Sequence, residues 1–251
     1  MSSPLSLSVV VPCFDEEGRI VESLRLLCQT LAEQAPSAWE VVVVDDHSTD
    51  RTAALVREYC DGCPQVRLVR SDAGKGKGAA VRTGVLAAVH DAVLVIDADL
   101  AGDLAAIPAL CARLAVADAV LGSRLLPGAV VDPPRSMSRR CAAWVFRAAV
   151  RVITPLRVSD PQCGCKVFRR EVVQTHIARV TTNGYAYEIE LLLRLQAAGA
   201  VLAELPIRWH EGLDSKVRVA NDGVRMLRDV WTIRRRVGST GGPQPRPIGE
   251  E

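Results

Sequence analysis

Short apolar runs alternate with helical patterns along the first 120 residues. Leu7-Val11, Val41-Val44, Val66-Val69 and Ala92-Ile96 are runs rich in β-branched residues, which predict strands. Between them, Glu17-Glu33, Asp50-Tyr59 and Gly78-Val89 carry helical periodicity. Strands that are nearly all apolar and separated by helices predict βαβ units around a mostly parallel sheet covered on both faces, an α/β fold of the Rossmann-like kind. Ala119-Leu121 and a segment around Ala200-Ile207 extend the pattern. The Gly/Pro-rich stretch from Gly238 to Glu251 lacks apolar periodicity and is expected to be a disordered tail, leaving residues 1–237 as one domain.

In such sheets ligands bind beyond the carboxyl ends of the strands, where strand order reverses. The residues following each strand are therefore the candidate site. The first strand leads to Pro12-Cys13-Phe14-Asp15-Glu16-Glu17 and the second to Asp45-Asp46-His47-Ser48-Thr49-Asp50. The third leads to Gly74-Lys75-Gly76-Lys77-Gly78, and the fourth ends in Asp97-Ala98-Asp99. All four loops are expected on one edge.

Two carboxylates one residue apart share a face if the strand conformation persists, and they repel unless a cation neutralises them. Oxygen ligands alone suit Mg2+ or Mn2+, which complete their shells with water and substrate phosphates. A solvated turn at a strand end accounts for the same three letters. Asp45 and Asp46 can accept hydrogen bonds from a base or ribose, although one of the two can be structural, and Ser48 or Thr49 can cap the helix that begins near Asp50. The glycine loop lets backbone approach a ligand, with lysines for phosphate; a flexible turn with solvated lysines is the plain alternative. No Walker A pattern is present.

Net charge is only +2, which excludes the basicity of a nucleic-acid binder, so charge arguments are local. Eight cysteines in a chain of this size read as reduced thiols in a cytoplasmic protein. Cys60-Asp-Gly-Cys63 falls where a helix ends, not at the helix N-terminus a redox pair needs. No apolar run reaches the roughly 18 to 20 residues of a membrane span. Any membrane contact is therefore expected from the side. Arg139, Arg140, Arg147 and Arg151 interleave with Trp144, Val145, Phe146 and Val150, and Lys216 to Arg236 repeats the mixture around Trp231. Such helices suit the cytoplasmic face of an anionic membrane, or they are surface helices packing an apolar stripe on the sheet.

"VVVPCFDEEGRI", "VVVVDDHSTDRT", "GKGKGAAVRTG", "VIDADL", "GSR" and "DPQCGCKVFRRE" follow one another in the order found in family 2 glycosyltransferases of the GT-A fold. In particular the chain resembles the polyprenyl-phosphate sugar transferases, the dolichyl-phosphate glucose and mannose synthases, from about residue 5 to 217. The resemblance implies an inverting, metal-dependent transfer of a hexose from a nucleotide-diphosphate sugar to polyprenyl phosphate. It also implies that Pro12, Asp15, Glu16 and Asp45 line the base and ribose pocket with Lys75 nearby, and that Asp97 and Asp99 hold Mg2+ or Mn2+, Asp99 directly. By the same resemblance Arg124 and Arg139 face phosphates, Asp160 and Gln162 close over the sugar, Glu188 stands where relatives carry Asp at a helix start, and Ser215-Lys216 lies at the catalytic mouth.

Three departures bear on specificity. Leu100-Ala101-Gly102 lacks the Gln that mannose synthases often keep after the acidic pair, "WHEGLDSK" lacks their arginine, and Cys165 replaces an aromatic residue. They tilt the donor towards UDP-glucose over GDP-mannose. Three rivals remain open here: a soluble acceptor, a nucleotide-sugar-binding protein without turnover, and a nucleotidyltransferase. The acid pair counts against the second, and acids in place of a glycine-rich first loop count against the third.

Overall fold

A computed structural model describes residues 5–34, 37–134, 137–210 and 219–237, with the side chains at 138, 139 and 219–225 outside that description. Seven strands form one sheet, and it is built outward from a central pair. β1 (Leu7–Cys13), β2 (Trp39–Asp45), β3 (Val66–Arg70) and β4 (Ala92–Ile96) run parallel in the order β3-β2-β1-β4. The chain thus steps outward through β2 and β3, then returns to the other side of β1. That reversal opens a crevice at the carboxyl ends of β1 and β4.

The helices are α1 (Ile20–Gln34), α2 (Thr52–Gly62), α3 (Lys77–Ala87) and α4 (Ile107–Arg113), the last preceded by a 3-10 turn at Leu104–Ala106. They account for the unbroken apolar runs. Val9, Val11, Val41, Val43, Leu94 and Ile96 belong to a core shared with Ile20, Leu24 and Leu31 of α1. Their alternates Val10, Val42, Val44, Val93 and Val95 face a second core with Ala80, Val81 and Val85 of α3. Both faces of each strand are buried, so an inward-outward alternation would leave polar groups in one core or the other.

The rest of the sheet departs from an all-parallel arrangement. β5 (Ala119–Ser123) and β8 (Leu202–Pro206) are parallel to each other, but β7 (Cys165–Arg169) lies between β4 and β5 and pairs antiparallel with both. Because β7 runs the other way, it starts at the edge where its neighbours end: Cys165 pairs with Ile96. Gly164, just before the strand, is thereby delivered beside Asp97, and Asp160 is delivered to Arg124. A small parallel pair, β6 (Val130–Asp132) with β9 (Arg208–His210), covers the same end.

Four more helices, α5 (Met137–Ile153), α6 (Arg170–Ile177), α7 (Tyr187–Ala197) and α8 (Val219–Val237), contribute Phe168-side core residues such as Val173, Ile189 and Val230. Among the described residues no helix is long and apolar enough to cross a membrane. The expected tail, 238–251, lies outside the described residues.

Candidate active site

The loops after β1 and β2 are stitched together by their own polar groups. The Asp15 N–H donates to Ser48 Oγ at 3.1 Å, and Asp15 Oδ1 accepts from the Thr49 N–H at 2.7 Å. The Glu16 N–H donates to Thr52 Oγ1 at 2.7 Å, and Asp45 Oδ1 accepts from the Ser48 N–H at 3.0 Å. Asp15 and His47 adopt left-handed backbone, φ 50° and 64°, which turns both loops sharply at the strand ends. Pro12, Asp15, Glu16 and Asp45 are thus gathered around two adjacent strand ends. The expected capping by Ser48 or Thr49 does not occur. Both residues bond across to the first loop, the helix starts at Thr52, and Asp50 Oδ1 accepts the Thr52 N–H at 2.9 Å.

The glycine loop is held from two sides. Both carboxylate oxygens of Asp46 accept the Gly76 N–H, at 2.9 and 2.8 Å, making Asp46 the more structural of the acidic pair. The Gly78 N–H donates to Asn183 O at 2.7 Å. A Cβ on Gly76 would stand 2.5 Å from Asn183 O, and one on Gly78 would stand 2.6 Å from Tyr187 Cβ. The glycines therefore let the loop pass close to residues 182–187 of this chain, a packing demand that neither a ligand approach nor a free turn anticipates.

The two lysines of that loop part company. Lys75 is exposed, whereas Lys77, the first residue of α3, reaches Asp97 Oδ1 at 2.7 Å. Burial by itself would weaken the Lys77 ammonium's hold on its proton, but the carboxylates of Asp97 and Glu188 outweigh it and hold its pKa well above the usual value. Behind Lys77, the buried Lys166 Nζ donates to Glu188 Oε1 at 2.8 Å and to Cys163 O, and the Tyr187 hydroxyl lies 3.4 Å from the same Glu188 oxygen.

Asp97 and Asp99 do not continue the strand. β4 ends at Ile96, the Leu100 N–H closes a turn onto Asp97 O at 3.0 Å, and Leu100 takes φ 49°. The strand alternation expected to align the two carboxylates therefore stops before they are reached. Asp97 instead meets Lys77 and is packed against Gly164, where a Cβ would collide with Asp97 Oδ2. Asp99 is exposed, and its Oδ1 accepts the Ala101 N–H at 3.1 Å. Partial desolvation by the cleft walls, and then the charge of Asp97, raise the Asp99 carboxyl above the usual range.

Across the crevice, Arg124 and Asp160 form a closed pair. Arg124 Nε donates to Asp160 Oδ2 at 2.7 Å and Nη2 to Oδ1 at 2.8 Å, while the Arg124 N–H adds a third bond at 3.1 Å. Nη2 also reaches Gln162 O at 3.2 Å, so Gln162 takes part through its backbone. Burial alone would raise the Asp160 carboxyl, but Arg124 more than offsets it and the net shift is downward. The guanidinium lies 4.9 Å from the Trp209 ring. Trp209 is held by β9, whose neighbours Arg208 and His210 bond to Asp103 and Ala101 immediately after the acidic pair.

The side chain of Arg139, within α5, and both Ser215 and Lys216 lie outside the described residues. Three residues of the site escaped the sequence reading. Lys77 could not be told from Lys75 by spacing. Lys166 was visible as a lone lysine in an apolar strand, and Trp209 as an isolated tryptophan after the last strand, but neither pattern says what the side chain meets.

The model for the family described as "Glycosyl transferase family 2" matches residues 8–177. Among characterised relatives, the dolichyl-phosphate beta-glucosyltransferase of Saccharomyces cerevisiae is 31% identical over 248 residues, covering 91% of this chain and 74% of that protein. Glycosyltransferase AglD of Haloferax volcanii is 32% identical over 242 residues, 93% of this chain and 38% of its own length. In fold, the chain is similar to glucosyl-3-phosphoglycerate synthase from Mycobacterium tuberculosis in complex with UDP. That likeness has a TM-score of 0.66 at 22% identity, over 93% of this chain and 80% of the other. A parallel sheet with one reversed strand, acids and glycines gathered at its carboxyl edge, and a family match across most of the chain lead to one conclusion: this protein belongs to glycosyl transferase family 2 and is a glycosyltransferase of the GT-A fold.

Proposed function

We propose that this enzyme transfers glucose from UDP-glucose to a polyprenyl phosphate, with inversion at the anomeric carbon and with the help of Mg2+ or Mn2+. The observation that carries the reading is the likeness to dolichyl-phosphate beta-glucosyltransferases over 91% of the chain. The missing Gln after the acidic pair, where Ala101 and Gly102 stand, agrees with the glucose donor.

The donor set suits a hard divalent cation. Asp97 and Asp99 are adjacent like charges, and Asp99, exposed and raised in pKa, gains most from a neighbouring cation. Among the described residues no third His, Cys, Asp or Glu completes a cage, which fits an ion that takes one or two carboxylates and fills its shell with water and diphosphate oxygens. Asp99 would be the direct ligand, with Asp97 held beside it by Lys77. The bound ion would stabilise the charge that grows on the departing diphosphate.

The chain's own residues bind and align. Pro12, Asp15, Glu16 and Asp45 hold the base and ribose at the ends of β1 and β2. An acceptor phosphate, with a second pKa of about 6, is already largely a dianion at neutral pH and needs little general-base help. Arg124 meets phosphate as half of a neutral pair, so it contributes directed hydrogen bonds from its remaining edge more than net positive charge. Asp160 acts by fixing that guanidinium, and attack from the face opposite the leaving diphosphate gives inversion.

The test is a panel of UDP- and GDP-sugars with Mn2+ or Mg2+, offered polyprenyl phosphate or 3-phosphoglycerate, with products identified by mass and by anomeric coupling in NMR. A β-linked glucosyl polyprenyl phosphate is expected from UDP-glucose. Transfer only to the soluble acceptor, or no transfer from any donor, would overturn the reading.

A further inference from the structure

Strand β8 reads Leu-Ala-Glu-Leu-Pro, with a single acid, Glu204, in a short run at the edge of the sheet. Glu204 pairs across from Leu121 of β5. Residues opposite each other in a parallel pair share a face, and so do residues two apart along a strand. Glu204 therefore projects to the same side as Ser123, the last residue of β5 and the neighbour of Arg124. Residues 154–159 cross that side, since Leu156 and Val158 belong to the same core as Leu121.

Among the described residues, every hydrogen bond to the Glu204 carboxylate comes from the turn that carries Asp160. Oε2 accepts the Ser159 N–H at 2.8 Å, while Oε1 accepts the Ser159 hydroxyl at 2.6 Å and the Asp160 N–H at 3.1 Å. The Ser159 oxygen lies 3.0 Å from that of the buried Ser123, which also accepts the Leu125 N–H at 3.3 Å. One proton order satisfies all of these contacts. The Ser159 hydrogen is committed to Glu204, so the Ser123 hydroxyl donates to Ser159. Leu125 N–H, Ser123, Ser159 and Glu204 thus form a chain in which each donates to the next.

The chain reaches both members of the Arg124–Asp160 pair through the residue before each. Ser123 precedes Arg124, Ser159 precedes Asp160, and Glu204 also holds the Asp160 N–H. We propose that Glu204, acting with Ser159 and Ser123, is a positioning residue that sets where the Arg124 guanidinium presents its remaining edge. The pair is closed by side-chain bonds of 2.7 and 2.8 Å and by the Arg124 N–H at 3.1 Å, so a shift of the 159–160 turn carries the guanidinium with the carboxylate. Glu204 acts through Asp160 and not on substrate. That the presented edge meets a phosphate rests on the polyprenyl-phosphate reading; the hold of Glu204 on the pair does not.

The full chain is tested with two variants. Glu204→Gln keeps the size of the side chain but turns one acceptor into a donor that faces donors, so at least one of the three bonds is lost. Ser159→Ala removes only the hydroxyl link and keeps both N–H bonds. Glu204 and Ser159 border an open cavity of about 440 Å3 with Thr154 and Arg157, so neither change opens a void in a closed core. The first readout needs no substrate: exchange of the Arg124 Nε–H with solvent, followed by heteronuclear NMR and assigned by its loss in Arg124→Lys. Exchange should be about tenfold faster in Glu204→Gln, with a smaller increase in Ser159→Ala. The second readout is a double-mutant cycle on kcat with UDP-glucose and a short, water-soluble prenyl phosphate. Glu204→Gln should lower kcat about tenfold in the parent but less than about twofold in an Asp160→Asn background, at unchanged KM for UDP-glucose. Unchanged Nε–H exchange, or an equal loss of kcat in both backgrounds, overturns the proposal, because a merely structural role gives no such coupling. If Glu204→Gln does not fold, Ser159→Ala carries both readouts, and no change in either overturns the proposal as well. Failure of the polyprenyl reading would appear as no glucosyl lipid from the parent enzyme and would leave the exchange measurement decisive.

Discussion

Asp160 is bound by Arg124 through two parallel side-chain hydrogen bonds, 2.7 and 2.8 Å, in a buried setting that lowers its carboxyl pKa despite the burial. A carboxylate so engaged is a poor acceptor for a substrate proton and a good brace for a guanidinium. Asp160→Asn should therefore lower kcat by up to about 100-fold by loosening Arg124, while residual turnover keeps the parent pH profile between about pH 6 and 9. Arg124→Lys should not restore the parent rate, because an ammonium cannot reproduce the paired contacts. Complete loss of turnover with Asn, recovered at high pH, would instead assign Asp160 a proton-accepting role.

Asp99→Ala should reduce turnover by at least about 100-fold, the scale of losing several kcal/mol of charge stabilisation. Asp99 is exposed, so stability should stay within about 0.5 kcal/mol of the parent. Mn2+ binding followed by electron paramagnetic resonance separates the two effects. Mn2+ affinity equal to the parent's would remove the proposed ligand.

Lys77→Met and Lys75→Met should differ sharply. Removing Lys77 leaves Asp97 without its 2.7 Å partner, so the acidic pair becomes more negative. Mn2+ should then bind more tightly while kcat falls by about tenfold or more, because Asp97 is no longer oriented. The pair is partly solvent-exposed, so the stability cost should be only about 1 kcal/mol. Lys75→Met should leave Mn2+ affinity unchanged, and equal effects from the two would contradict the geometry.

Glu190 provides a pH test of the scaffold. It is fully buried, accepts from the Thr182 hydroxyl at 2.6 Å and pairs with Arg194 at 2.7 Å. Burial would raise its carboxyl, but Thr182 and Arg194 outweigh that and lower it. A depressed folded-state pKa contributes stability that is fully present above the ordinary Glu value of about 4.3 and is lost as pH falls through the lower folded value. Glu190→Gln should cost about 3 kcal/mol at pH 7, and the gap to the parent should narrow in denaturant titrations below about pH 4. A gap constant down to pH 3 would contradict the charge linkage.

Much of this molecule could be read from one dimension because its chemistry is punctuated by strands. Short runs of β-branched residues such as Val41-Val44 favour a strand buried on both faces, and four of them in series, alternating with helices, commit their following loops to one edge. Strand spacing therefore assigns Asp15, Asp45, Lys75 and Asp99 to that edge without any side chain in place. Other features depended on contacts distant in sequence. The reversal of β7 follows from its pairing with both β4 and β5, and that reversal carries Gly164 against Asp97. Spacing treats Lys75 and Lys77 alike; the start of α3 sends only one towards Asp97. The apolar and basic periodicity of α5 was legible in the sequence, but which stripe the core would take was decided by packing against α8. Hydrophobic period fixes which residues share a face, whereas the partner of that face is set by chain reversal and close packing, which no local window contains.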